Sequence, residues 1–248
     1  MKHINFYWIK SLLLVLCFSN CPHYLQAQES NQSILSDELL LYNKSENCYS
    51  INDELINGFI YMLPNPRIIG TPYLYEDKWS EATIYINGKK YPHQMIKYDL
   101  YQDDIVLKAT IENNTQSLII INKSQIDSFL VENSLFISSS KIFPGNTEIT
   151  FYEQIYSGKL ILLKKYKKDF LSTYNNITPY GKYSSLKSDL YLFEQEQLIN
   201  VSRKNSLIKF IEKKYRKNIR AYMKSINMDY SNSTPQQYRE LMNYCTKE

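Results

Sequence analysis

Residues 80–104 read SEATIYINGKKYPHQMIKYDLYQDD. Ala82, Ile84 and Ile86 alternate with Thr83 and Tyr85. This is the period of two expected of a strand with one buried face. Asn87-Gly88 follows, and this pair accepts positive φ at both central positions of a two-residue hairpin turn. The return strand carries Tyr91, Met95, Ile96, Tyr98, Leu100 and Tyr101 before Asp103-Asp104 turns the chain again.

The segments on either side repeat the pattern. Upstream, Phe59 to Leu63 is a short strand stopped by Pro64 and Pro66, and Gly70-Thr71-Pro72 is a turn. Downstream, strands are expected over 105–111, 117–121, 126–131 and 135–138, with Phe129 and Phe136 as core anchors. A further hairpin spans 148–156 and 159–166 across Ser157-Gly158. Asn175, Asn176, Pro179 and Gly181 mark a long loop over 169–188, and 189–193 with 198–202 form the last strand pair. Parallel pairing needs crossover helices, and no helical period falls between these strands. The chain is therefore mainly β, an antiparallel meander that is curled or a partly open barrel.

The period changes at the C-terminus. Leu207, Ile208, Ile211, Tyr215, Ile219, Tyr222, Met223 and Ile226 fall on one helical stripe, which predicts a single helix over 206–226. Thr234, Pro235 and Gln237 are the start of a second helix, with a capping hydroxyl, proline in the first turn and glutamine three residues after the cap. Two C-terminal helices packed on the sheet are expected.

The N-terminus reads as an export signal. Lys2 and Lys10 precede the uncharged run Ser11–Phe18, and a more polar stretch ends at Ala27. That run is far shorter than the roughly 20 residues a membrane-crossing helix needs. Cleavage before Gln28 leaves 28–57 as a loosely ordered lead-in, 58–202 as the antiparallel β domain and 203–248 as a helical segment. Cys17 and Cys21 sit where a lipidated cysteine is found, but Leu16 and Asn20 before them are not the small residues such signals use. No later segment has the length and apolarity of a transmembrane helix. The location is the periplasm, the outer envelope or the medium.

Composition excludes several chemistries. The chain has 29 basic and 25 acidic residues, and the leader holds Lys2 and Lys10 but no acid. The mature balance is too even for a nucleic-acid binder. Of three histidines, His3 and His23 leave with the leader, so His93 alone remains. Metal sites built on paired histidines are excluded, and no zinc, calcium or other cofactor pattern is present. The six glycines form no phosphate-cradling loop. No serine lies in a nucleophile-elbow motif.

Aromatic and acidic residues supply the site candidates. Tyr73, Tyr75 and Trp79 cluster between turn signals, and Tyr98 and Tyr101 follow in the hairpin. Such rings can stack on sugars or grip a partner. The leading reading is an exported, non-enzymatic protein that binds a partner protein, a lipid-like ligand or a glycan through these five residues. A second is a hydrolase of envelope polymers that uses Asp99 with Asp103 or Asp104 as paired carboxylates. A third is a purely structural envelope component. Cys48 and Cys245 are the cysteines left after cleavage and can pair in an oxidising compartment. Lys209, Lys213, Lys214, Arg216, Lys217, Arg220 and Lys224 give the helical segment a basic face suited to peripheral contact with an anionic membrane.

The run GTPYLYEDKWSEATIYINGKKYPHQMIKYDLYQDD, with FYEQIYSGKLILLKKYKKDF and SLIKFIEKKYRKNIRAYMKSINMD, resembles a group of exported proteins of Bacteroidota-type bacteria. The resemblance covers residues 58–245 and implies an envelope or secreted location. It implies no reaction and carries over no catalytic residue.

Overall fold

The computed structural model describes residues 53–111, 115–143, 148–158, 160–211 and 216–246. The signal-peptide and lipidation readings, and Cys48, lie outside the described residues.

In chain order the elements are α1 (Asp53–Ile56), β1 (Phe59–Ile60), β2 (Ser80–Ile86), β3 (Lys89–Asp99), β4 (Asp104–Ile111), β5 (Thr115–Ile120), β6 (Ile126–Val131), β7 (Ser134–Ser138) and α2 (Ser139–Ile142). Then come β8 (Phe151–Ser157), β9 (Ile161–Lys167), β10 (Phe170–Leu171), β11 (Lys182–Tyr183), β12 (Lys187–Glu194), β13 (Gln197–Asn200), α3 (Lys204–Phe210), α4 (Arg216–Ser225) and α5 (Pro235–Thr246). Eleven strands form one antiparallel sheet in the order β1-β5-β4-β3-β2-β6-β7-β8-β9-β12-β13, and β10 pairs with β11. The sheet does not close, and β1 and β13 are its edges.

The β2–β3 hairpin forms as its sequence dictates. Asn87 and Gly88 sit at φ 50° and 80°, and Ala82, Ile84 and Ile86 are buried on one face. The strand pair carries a bulge: Ala82 pairs with Gln94 and Ile84 with Tyr91, so Pro92 and His93 together oppose Thr83. His93, at φ 56°, is exposed there and meets Glu81 Oε1 at 2.5 Å. Proline removes a donor and a bulge bends a strand, so β3 is bent at this point.

The next connection departs from a simple meander. β5 lies on the far side of β4 and β3, yet β6 pairs with β2. Only Ile121–Gln125 links them. Ile121 N–H donates to Ile105 O at 3.0 Å, and Lys123 reaches Asp104 Oδ1 at 3.2 Å, both near the β3–β4 turn. Two residues later Gln125 O accepts from Asn87 N–H, at the opposite end of β3, at 3.3 Å. One short segment thus touches both ends of β3, so the sheet is coiled around its own core.

That core is filled by Ile84, Ile86, Ile105, Ile126, Phe129, Phe136 and Phe151, each 1% exposed or less. Phe129 and Phe136 are cross-strand partners and stack at 4.8 Å, and Tyr98 meets both edge-on. α1 belongs to this core through buried Leu55, while Glu54 accepts from Lys89 Nζ and from the Tyr91 hydroxyl. Residues 53–56, within the segment read as a lead-in, thus pack onto the β unit. Gly58 passes so close to β5 that a Cβ there would lie 1.8 Å from Ile120 O.

A second core lies between β8, β9, β12 and the C-terminal helices, where Leu162, Leu192 and Val201 pack with Ile219, Tyr238 and Leu241. α5 starts as expected, with the Gln237 backbone N–H donating to Thr234 Oγ1 at 3.3 Å and Gln237 Oε1 accepting from the Thr234 backbone N–H at 2.9 Å. The single helix expected over 206–226 is corrected to two, α3 and α4, so among the described residues three C-terminal helices follow the sheet. Ile211 leaves the helical conformation at ψ 139° and buries its side chain in the second core. Arg216 then donates from Nε to Ile211 O and from Nη2 to Lys209 O, satisfying carbonyls that the break frees. Among the described residues no helix is long and apolar enough to cross a membrane.

Phe129→Ala empties the centre of the coiled core. It is expected to lower unfolding free energy by about 3–5 kcal/mol in urea denaturation; a loss below 1 kcal/mol contradicts the packing described.

Candidate functional site

β2 stops pairing with β3 at Ser80–Ile96, and a second segment takes its place along β3. Leu74 N–H donates to Tyr98 O, and Leu100 N–H donates to Pro72 O, both at 3.0 Å. Between Tyr61 and Tyr73 the chain loops outward through Pro64, Pro66 and Gly70.

Buried polar groups pin this loop. Asp99, 1% exposed, accepts from the Tyr61 hydroxyl at 2.7 Å on Oδ2 and from the Tyr101 and Gln102 N–H groups at 2.9 and 3.0 Å on Oδ1. The Tyr61 and Tyr73 hydroxyls lie 3.2 Å apart. Burial raises the pKa of both phenols, with the Asp99 charge adding to the effect. From the end of β9, buried Lys168 donates to Tyr73 O at 2.7 Å and Thr71 O at 2.9 Å. Burial lowers its pKa, and Asp99 and Glu76 oppose that shift. Lys97 is also buried, with Nζ 4.6 Å from the Tyr73 ring and 4.8 Å from the Trp79 ring and an ion pair to Asp77.

The pinned loop forms one wall of a groove of about 320 Å³, lined among others by Leu63, Pro66, Thr71, Tyr73, Asp77 and Tyr183. Tyr183 faces it from β11, whose backbone is bonded to the same loop through Tyr183 N–H to Ile69 O at 2.9 Å. Tyr183, Phe170 and Tyr101 make a three-ring cluster with centroids 5.5 to 6.2 Å apart. Tyr101 is 49% exposed. Tyr180, three residues before Tyr183 in the sequence, accepts a 2.7 Å bond from Arg67, whose guanidinium also lies over its ring.

The five sequence candidates separate. Tyr73 lines the groove and Tyr101 joins it through Tyr183. Tyr98 is a core residue whose hydroxyl donates to Asp103 Oδ1 at 2.5 Å. Tyr75 packs against the first core. Tyr73, Tyr75 and Tyr98 do share a void, but one of about 10 Å³, no larger than a single water requires. Trp79 covers Lys97. Phe170 and Tyr183, invisible as site residues in the long loop, take the vacated places.

The acids do not assemble as a pair across a cleft. Asp99 caps a turn, Asp103 accepts from Tyr98, and Asp104 pairs with Lys123. Burial raises the Asp104 pKa against that lysine. A second groove, of about 510 Å³, includes Asp104 with Phe59, Ile121 and Lys123 in its lining, and its other lining residues are not acids. The first groove likewise contains one carboxylate, Asp77. A buried acid that the sequence did not flag, Glu153 on β8, accepts from Ser134 at 2.7 Å and Tyr166 at 2.6 Å. Among the described residues no group of three metal-ligating side chains occurs. Cys245 is half-buried in the second core, and burial pushes its thiol up to about 11.

No protein-family model, curated protein or solved structure matches this chain.

Asp99→Ala leaves one hydroxyl and two N–H donors without their acceptor and is expected to cost about 1–3 kcal/mol. Asp99→Asn keeps an acceptor for the turn and is expected to cost less. Hydrogen exchange at the Tyr101 and Gln102 amides reads the difference; equal protection in the wild type and the alanine variant contradicts the assignment.

Proposed function

We propose that this chain is an exported, non-enzymatic envelope protein that binds a glycan in the groove between the Leu63–Tyr73 loop and Tyr183. Export rests on the leader and on the resemblance to exported proteins. The observation that carries the binding reading is the groove itself, with a partly exposed aromatic cluster continuous with one wall. Its volume lies at the lower end of the range for small-ligand sites. Tyrosine offers a flat face to a sugar ring and a hydroxyl to its edge. Asn65, Thr71 and Asp77 put polar groups in the lining, which suits a sugar better than a lipid tail.

A glycosidase needs two carboxyls facing each other at roughly 5–10 Å across the substrate. Each of the two grooves offers one, and the acids of the β3–β4 turn are spent on structural bonds. A rigid wall supports binding more directly, because a preformed site avoids the entropy cost of ordering a loop. The Asp99 and Lys168 contacts supply that rigidity.

Titration of the exported protein with peptidoglycan, glucan and mannan oligosaccharides, followed by calorimetry, tests the reading. Saturable binding to one glycan class is expected, weakened roughly tenfold or more by Tyr183→Ala or Tyr101→Ala. Tyr174→Ala, at an exposed tyrosine outside the groove lining, is expected to bind as wild type. Absence of glycan binding, or binding indifferent to Tyr183 and Tyr101, overturns it.

A further inference from the structure

Charge is segregated along this chain. Residues 203–228 contain nine basic residues and one acid, Glu212, so the remainder carries 20 basic against 24 acidic residues. A modestly basic total therefore conceals an acidic body with a strongly basic helical segment.

The structure sorts these cations further. α4 reads RKNIRAYMKS and has no acidic residue. It buries Ile219 and Met223 in the second core, with Tyr222 packed alongside. Lys217, Arg220 and Lys224, spaced three and four residues apart, are exposed on one helical face with Ala221. Seven lysines elsewhere, from Lys78 with Glu132 to Lys187 with Asp169, are matched by carboxylates, and the ion pairs among the described residues all lie outside 203–228. Among the described residues no carboxylate pairs with Lys217, Arg220 or Lys224. Cations left together on a helix face repel one another, a cost that an external anionic surface removes.

We propose that the outward face of α4 docks the protein onto an anionic lipid bilayer through Lys217, Arg220 and Lys224. The complementarity is that of a linear cationic face and a laterally extended anionic surface. The apolar face of α4 is committed to the protein's own core, so the helix has no hydrophobic side to insert. Attachment is electrostatic and reversible, and it falls as salt shortens the range of the membrane's field. Docking of this kind is independent of the glycan groove and stands or falls separately from it.

Co-sedimentation of the intact exported protein with vesicles tests the proposal. With about 30% phosphatidylglycerol in phosphatidylcholine and about 0.05 M salt, the protein is expected to pellet; with phosphatidylcholine alone, or at about 0.5 M salt, it is expected to stay in solution. Reversing the three charges, Lys217→Glu with Arg220→Glu and Lys224→Glu, is expected to weaken vesicle binding at least roughly a hundredfold. The matched reversal of exposed Lys78, Lys90 and Lys108 to Glu gives the same net charge and is expected to weaken it far less. Circular dichroism confirms that both variants fold. Failure to pellet with anionic vesicles at low salt overturns the proposal. So does equal weakening in both variants, or binding to dextran sulfate without binding to vesicles.

Discussion

The connection Ile121–Gln125 constrains everything around it. In a flat sheet β5 and β6 would stand four strand spacings apart, about 19 Å sideways. The end of β5 would also lie near one end of β3 and the start of β6 near the other. Six Cα steps reach about 20 Å when fully extended. These five residues instead include turns, with Gln125 N–H bonded to Asn122 O and Ile126 N–H to Lys123 O. The link can be made only if the sheet winds back on itself. The bulge at Pro92–His93 supplies the bend, and the winding turns alternate side chains of β2, β4, β6 and β7 into one interior where Phe129 and Phe136 stack.

The outside of the coil carries the groove proposed to hold a glycan. Asp99 sits where the β3–β4 turn, the Tyr61 segment and Tyr73 converge, so one carboxylate orients an exposed tyrosine on one side and a groove wall on the other. Lys168 fixes the same wall from β9. Burying charges is costly unless they are bonded on several sides, and both of these are. That expenditure makes sense for holding a surface loop in one shape. Of the acids near the turn, which in the sequence look like paired catalytic carboxyls, Asp99 has both oxygens bonded, Asp103 Oδ1 accepts from Tyr98 and Asp104 Oδ1 pairs with Lys123.

Much of the fold was legible because its signals are local. Ala82, Ile84 and Ile86 before Asn87-Gly88 specify a hairpin without help from elsewhere, and Thr234-Pro235 with Gln237 starts a helix in the same way. The break at Ile211 was not legible, because the apolar stripe runs on through it; what stops the helix is tertiary, the burial of Ile211 and the reach of Arg216 to its carbonyl. The candidate site was half legible. Of the aromatic residues the sequence singles out, Tyr73 lines the groove and Tyr101 reaches it through Tyr183. Tyr98 went inside because the coil turns its side of β3 inward. Phe170 and Tyr183 came from a loop without periodicity, brought to Tyr101 by contacts some 70 to 80 residues apart in the chain. Glu153 looked like an ordinary strand acid, since its donors Ser134 and Tyr166 lie on neighbouring strands.

The winding itself can be read from through-space proton contacts in solution by nuclear Overhauser spectroscopy of the labelled protein. The account predicts that the Asn87 amide contacts protons of Gln125 in the same molecule whose Ile121 amide contacts Ile105. Contacts from Ile121 to Ile105 with none between Asn87 and residues 122–126 would describe an uncoiled sheet, and the interior and the groove wall proposed for this protein would then be wrong together.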